Sequence, residues 1–200
     1  MGDGTYNARN LPVQVNFLTG ITNISGGQYH SIARKNDGTA WAWGYNGDGE
    51  LGDGTFSSNT LPVLVSTLSN VTNVWAGGYH SLVLKSNGTV WAFGGNWDGQ
   101  LGDGTTTDRG APVQVNGLTG ITGVSAGDSH SLAVKNDGTF WAWGYNGDGE
   151  LGDGTYTERH APVQMHDCCN SGLPGIALSD SCVKMDTTVI GGHFQRSFYF

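Results

Sequence analysis

Apolar residues in this chain fall in short runs with the two-residue period of extended backbone. Leu132 and Val134 alternate with Ala133 and Lys135, residues 121–126 form a short segment ending at Gly127, residues 140–143 (FWAW) follow the polar triplet Asn136-Asp137-Gly138, and Pro162 opens a fourth extended piece through Met165. Asn-Asp-Gly, and Ser86-Asn87-Gly88 at the corresponding point upstream, supply the left-handed positions of a tight hairpin, while Gly147, Gly149, Gly152 and Gly154 crowd a longer connection before the fourth piece. The pattern predicts four short strands in one unit. No segment repeats its apolar positions at helical spacing over a useful length.

That unit recurs every fifty residues without drift. GDGT stands at 2–5, 52–55, 102–105 and 152–155, His-Ser begins at His30, His80 and His130, and the Trp of the W-A-W/F-G run stands at Trp41, Trp91 and Trp141. Pro-Val begins at Pro12, Pro62, Pro112 and Pro162. Residues 30–55 and 130–155 differ only at Ile32/Leu132, Arg34/Val134 and Ala40/Phe140, so each copy must form nearly the same local structure. Four antiparallel strands repeated radially are the blade of a β-propeller. Helical solenoids of similar period need amphipathic helices, which this pattern lacks. The fold expected is all-β, a partial or small ring of four-stranded antiparallel blades.

Residues 77–115, GGYHSLVLKSNGTVWAFGGNWDGQLGDGTTTDRGAPVQV, resemble the bacterial form of the regulator of chromosome condensation (RCC1) repeat. The marks are G-x-x-H-S-L, D/N-G-x-V/F-W-x-W/F-G-x-N-x-x-G-Q/E-L-G-D-G-T and a closing P-V-x-V. The resemblance covers residues 1–165 and implies four-stranded blades around a central axis, commonly seven in that family. It implies membership of a group that includes guanine-nucleotide exchange factors, chromatin-binding proteins, partners of ubiquitin ligases and bacterial enzyme inhibitors, without pointing to any one of them.

The chain holds three complete blades, at 21–65, 71–115 and 121–165, with 12–15 expected as the outer strand of a split blade and 166–200 as a divergent tail. In that tail, 184–188 (KMDTT) echo 135–139 (KNDGT), which suggests a decayed blade. If the tail supplies three inner strands and the N-terminal piece the outer one, a four-bladed ring closes. Met1 stands where the repeats carry Leu51, Leu101 and Leu151, so the chain starts inside a repeat, as a fragment would. Unclosed blades expose sheet edges and invite self-association. Arg34, where the other copies carry Leu84 and Val134, points to an exposed first blade or a degenerate copy.

Composition sharpens this reading. Glycine fills 34 of 200 positions, about 17% against a typical ~7%, with 5 prolines and no G-X-Y period, which excludes collagen and calls for many tight turns. A net charge of -8 sets long-range repulsion against duplex nucleic acid or an anionic membrane. No window approaches 18 apolar residues, and MGDGTYNARN has neither the basic region nor the apolar stretch of a signal peptide. Membrane insertion is not expected, and the compartment stays open, export of a longer parent included. Cys168, Cys169 and Cys182 form at most one bridge and are read as plain thiols rather than zinc ligands with His160 and His166.

Few residues invite chemistry. His30, His80 and His130 would line an axis where imidazoles could bind a soft metal, but a repeated His-Ser pair reads first as a hydrogen bond remade in every blade. Asn46, Asp48, Glu50 and Asp53, repeated at Asn146, Asp148, Glu150 and Asp153, give calcium as a weak alternative to no cofactor at all; the second copy replaces a carboxylate with Gln100, and the loop does not fit an EF-hand. Phosphate-binding loops, dinucleotide fingerprints and the G-x-S-x-G elbow are missing, and a repeated polar set is unlike a unique catalytic group, so no enzyme is expected. Trp41 with Trp43, Trp91 with Phe93, and Trp141 with Trp143 share a strand face and read as wedge between blades.

Trp75 and Trp97 break the repeat, as do Phe56 and Tyr156 after GDGT, and these four are the candidate binding anchors. The function expected is a non-enzymatic protein-interaction scaffold with a protein partner, its variable loops at 57–60, 107–110 and 157–160. The alternatives are a glycan- or cell-surface-binding domain and a propeller fragment without independent function.

Overall fold

A computed structural model describes residues 1–165, together with the two short strands at 189–190 and 193–194. Three four-stranded antiparallel sheets follow the repeat: β1 (Ile21–Gly26), β2 (His30–Lys35), β3 (Ala40–Gly44) and β4 (Asn59–Leu64) form blade 1 in sequence order. Blade 2 is β5 (Val71–Ala76), β6 (His80–Lys85), β7 (Val90–Gly94) and β8 (Arg109–Gln114); blade 3 is β9 (Ile121–Ala126), β10 (His130–Lys135), β11 (Phe140–Gly144) and β12 (Arg159–Gln164). In the separate C-terminal unit, β13 (Val189–Ile190) pairs with β14 (His193–Phe194).

The hairpins form where the turn residues require them. In blade 1 the Lys35 amide donates to the Thr39 carbonyl at 2.9 Å, Gly38 turns at φ 80°, and the Asp37 carboxylate accepts from the Thr39 amide and hydroxyl at 3.0 and 2.6 Å. The pairing runs from Arg34 opposite Ala40 to His30 opposite Gly44. The fourth strand begins earlier than Pro-Val implies, at Asn59, Arg109 and Arg159, because the loop before it is pinned by a buried asparagine. Asn46 Nδ2 donates to the carbonyls of Thr55 and Ser57 at 3.2 and 3.1 Å, and its Oδ1 accepts from the Leu51 amide at 2.8 Å. Asn96 and Asn146 repeat that staple.

Each sheet has two apolar faces, one toward the preceding blade and one toward the following blade. Between blades 1 and 2, Ile32, Ala40, Ala42, Leu51 and Val65 meet Leu68, Val71, Val74, Val83 and Phe93 in one buried cluster. Fifty residues on, Leu82, Val90, Ala92, Leu101 and Val115 meet Leu118, Ile121, Ala133 and Trp143. The alternation along a strand therefore sorts residues between two neighbours rather than between core and water: β6 is buried from His80 through Leu84, while β2 and β10 are buried in part. Trp91 packs with Phe93 against the first cluster and Trp141 with Trp143 against the second, so each pair does share a face.

Two expectations need correction. Residues 12–15 are not a strand. They lie where the last part of a preceding blade would lie, with Asn16 donating to the Gly2 carbonyl at 2.9 Å as Ser66 does to Gly52, and with Gly4 donating to Thr60 at 3.1 Å as Gly54 does to Gly110. Among the described residues no third strand stands beside them to complete a ladder. Arg34 neither snorkels into water nor marks a failed blade: half-buried, it donates from Nε to the Val71 carbonyl of blade 2 at 2.9 Å and from Nη1 to Thr22 Oγ1 at 2.6 Å. A guanidinium there exchanges the apolar contact of Leu84 for a cross-blade hydrogen bond.

Candidate interaction face

The start of each second strand and the end of each third strand lie at the same end of the blades, and the backbone there leaves little room. Gly44, Gly94 and Gly144 adopt φ of 113°, 108° and 101°, and a Cβ on any of them would stand 2.5 Å from the carbonyl oxygen of Tyr29, Tyr79 or Ser129. That crossing sets residues 29, 79 and 129 beside the segments that follow Gly44, Gly94 and Gly144.

Aromatic side chains gather at this end. Tyr29 and Tyr45 have ring centroids 6.3 Å apart, Tyr29 and Tyr79 are 5.9 Å apart across the junction of blades 1 and 2, and Tyr79 and Trp97 are 5.4 Å apart. The result is an unbroken row of four rings. Tyr29, Tyr45 and Trp97 are 58%, 43% and 44% exposed, so the row faces water. Its Tyr45 end borders a 390 Å³ groove shared with Tyr6, Asn7, Ser58 and Asn59.

Trp97 departs from the repeat in sequence but not in space. Tyr45 lies over Gly47 and Tyr145 over Gly147, so that a side chain on either glycine would run into the phenol. In blade 2 the pair is reversed, with Trp97 lying over Gly95, whose Cβ would meet the indole at 2.6 Å. Each blade thus carries one aromatic ring at this place, contributed from either of two positions.

The row carries a negative rim. The charge of Asp48, then burial, raises the Tyr45 hydroxyl above the usual phenol range; Asp148 does the same for Tyr145. Burial first, then Tyr29 and Asp128, raises Tyr79. Asp48 is itself raised, by burial and then by the nearby charge of Asp108. The described lysines and arginines are engaged elsewhere: Arg9, Arg109 and Arg159 pair with Asp3, Asp103 and Asp153 at 2.9, 2.7 and 2.6 Å, Arg34 with Val71, and Lys35, Lys85 and Lys135 sit over Trp41, Trp91 and Trp141.

Of the four anchors expected from sequence, Trp97 belongs to the row. Trp75 is half-buried and packs against the cluster between blades 2 and 3. Phe56, 54% exposed, lies against Gly110, and Tyr156, 77% exposed, lies near Gly149. Sequence reasoning passed over Tyr29, Tyr45 and Tyr79, because a tyrosine inside a repeated motif looks like framework. The available signal was the aromatic exchange between Y-N-G at 45–47 and G-N-W at 95–97.

The histidines link blades. Ser81 Oγ donates to the Glu50 carbonyl at 3.0 Å, so the 2.9 Å contact from His30 must be Nε2–H donating to Ser81; His80, Ser131 and the Gln100 carbonyl repeat the relay at 3.0 and 2.9 Å. Burial lowers the pKa of His30 to about 4 and that of His80 to about 3, so both rings are neutral at pH 7. The loop carboxylates likewise serve the turns. Asp53 accepts from the Thr55 amide and hydroxyl at 2.8 and 2.7 Å, and Glu50 accepts from the Asp48 amide at 3.0 Å. Among the described residues no three His, Cys, Asp or Glu side chains converge as a metal site.

These are blades of a β-propeller, joined by buried polar relays and bearing an aromatic strip at one end. Two family models, both described as the regulator of chromosome condensation (RCC1) repeat, match the chain, one at residues 37–84 and 87–134 and the other at 21–50, 71–100 and 121–150. The chain belongs to the RCC1 repeat family. Among solved structures it is similar to a chain in the crystal structure of Kap60 bound to yeast RCC1 (Prp20), with a TM-score of 0.72 and 22% identity over 80% of this chain and 40% of that one. Prp20p from Saccharomyces cerevisiae, described with its binding properties to Gsp1p and histones, gives 0.69 and 22% over 77% and 40%. Human WBSCR16 gives 0.65 and 24% over 73% and 40%. The chain therefore spans about 40% of the length of these structures. No curated protein gives a significant match.

Proposed function

We infer that the chain is a non-enzymatic protein-interaction scaffold whose aromatic row receives cationic side chains of a partner segment. One observation carries this: exposed Tyr29, Tyr45 and Trp97, linked through half-buried Tyr79, form a continuous strip within reach of the charges of Asp48 and Asp128, and each described lysine and arginine is engaged away from it. Electron-rich ring faces beside carboxylates attract guanidinium and ammonium groups, and rings held by packing lose little entropy when they bind. The net charge of -8 works in the same direction at longer range. The yeast relative's reported binding to Gsp1p and histones supports a protein partner in general.

Titration of the intact protein with an arginine-rich peptide, followed by tryptophan fluorescence, tests this reading. Saturable binding that weakens as salt rises is expected, with Trp97→Ala raising Kd about tenfold, the scale of one partly desolvated cation–π contact. Equal binding by the Trp97→Ala variant overturns it. Saturable binding of a neutral glycan to this strip, with none of the peptide, would replace it with the glycan-binding alternative.

A further inference from the structure

Among the described residues, no neighbouring blade stands against the outer face of blade 1 or of blade 3, and each of these faces is one half of a junction built twice between the blades. At the blade 1 end, Ile24 is 72% exposed, whereas its counterpart Val74 is 1% exposed within the first junction. At the blade 3 end, Phe140 is 59% exposed, whereas Ala40 and Val90 are 1% and 0% exposed. Both ends carry apolar hollows, of 350 Å³ around Leu18, Ile21, Ile24 and Trp43, and of 320 Å³ around Val124, Leu132, Phe140 and Met165. The polar relay is cut at the same places. Among the described residues no serine hydroxyl meets His130 and no imidazole meets Ser31, the two members that His80–Ser131 and His30–Ser81 bring together inside the chain.

We propose that the blade 3 face of one chain docks on the blade 1 face of a second copy, remaking the internal junction between molecules. The surfaces match because both halves come from one repeat: Leu132 and Met165 would meet Ile21 and Ile24 of the second copy as Ile32 and Val65 meet Val71 and Val74. His130 would donate to Ser31 of the second copy. The contact is heterologous, so it closes a ring or extends a row according to the angle between copies.

Residues 1–16 hold part of the place that the incoming blade needs. A Cβ on Gly2 would stand 3.0 Å from the Trp43 indole nitrogen, and one on Gly102 would stand 2.8 Å from that of Trp143. Docking therefore displaces this arm, whose Gly4 and Asn16 amides are bonded to the Thr60 and Gly2 carbonyls in the single chain. The inference does not depend on the aromatic row, which lies at another place on the blades.

Light scattering coupled to size exclusion, with the full chain in reductant from about 1 to about 100 µM, tests the proposal. The mass is expected to rise from 21.0 kDa toward about 42 kDa or above. Ile24→Asp and Phe140→Asp, both at exposed positions, should each hold the chain at the monomer mass. An equimolar mixture of the two should recover a one-to-one complex, since each variant keeps the face the other lacks. A constant 21.0 kDa at every concentration, as when the chain's own residues 166–200 cover the face, overturns the proposal. So does association of either variant alone, or failure of folded variants to complement. Hydrogen exchange on the unsubstituted chain supplies a readout independent of variant folding: the Gly4 and Asn16 amides should exchange at least about threefold faster as concentration rises, and unchanged or slower exchange contradicts arm release.

Discussion

Glu50 is a carboxylate shut away from water. Only 1% exposed, it has one carboxylate oxygen on the Asp48 amide and the other without a partner, and burial pushes its pKa up to about 7. The folded chain therefore binds a proton there that the unfolded chain, near 4.5, does not. That contribution to stability is full below pH 4.5 and is lost as pH rises toward 7. His30 and His80 act in the opposite sense: neutral when folded, they contribute stability above pH 6.5 that is lost as pH falls toward about 4 and about 3. Between pH 6.5 and 4.5 one uptake offsets part of the other. Glu50→Gln, the residue blade 2 carries as Gln100, should raise stability at pH 8 by about 1 kcal/mol. It should also steepen the acid loss attributable to these three groups from about 1.4 to about 2.7 kcal/mol per pH unit, read from urea melts at a series of pH values. Gly94→Ala is expected to destabilise by about 2–4 kcal/mol, because it combines a φ of 108° with a Cβ 2.5 Å from the Tyr79 carbonyl.

Between elements, apolar packing and buried hydrogen bonds couple neighbouring blades. Ser131 of β10 is held between the His80 ring and the Gln100 carbonyl, both contributed by the preceding blade, and all three groups are shut away from water. Ser131→Ala should cost about 1–3 kcal/mol, the scale of leaving a buried donor and acceptor unpaired. A double-mutant cycle with His80→Ala should show coupling near 1 kcal/mol, measured by chemical denaturation. The elements themselves were readable from the residues. Alternating runs, Asn-Asp-Gly turns and the fifty-residue period gave four strands per blade and their order. The outer strand's earlier start was not readable, since it follows from side-chain bonds of Asn46, Asn96 and Asn146 that no propensity encodes.

At the scale of the whole molecule, a row of blades behaves as a chain of nearest neighbours, each stabilised by the junctions it makes. Blade 2 has one on either side; blades 1 and 3 have one apiece among the described residues. Amides of β6 and β7 should therefore exchange most slowly and those of β1, β2, β11 and β12 faster, as native-state hydrogen exchange would show at a concentration low enough to limit association. Ile24 and Phe140 report the same asymmetry, since both are exposed where the apolar residues at repeat-equivalent positions inside a junction, Val74 and Val90, are buried.

Repetition is why so much was legible. A motif copied three times states its local structure three times, and the residues that repeat, such as Leu51, Leu101 and Leu151, are those the blade must bury. The same repetition hid the interaction face. Tyr29, Tyr45 and Tyr79 lie in framework positions, and nothing in their spacing says that their rings stand about 6 Å apart on a wet surface, because that depends on how one blade is set against the next. Trp75 and Trp97 departed from the pattern equally, yet one fills the wedge between blades and the other faces water. Residue type and period encode which backbone a segment adopts; which side of the assembled blades a ring meets is a property of long-range packing.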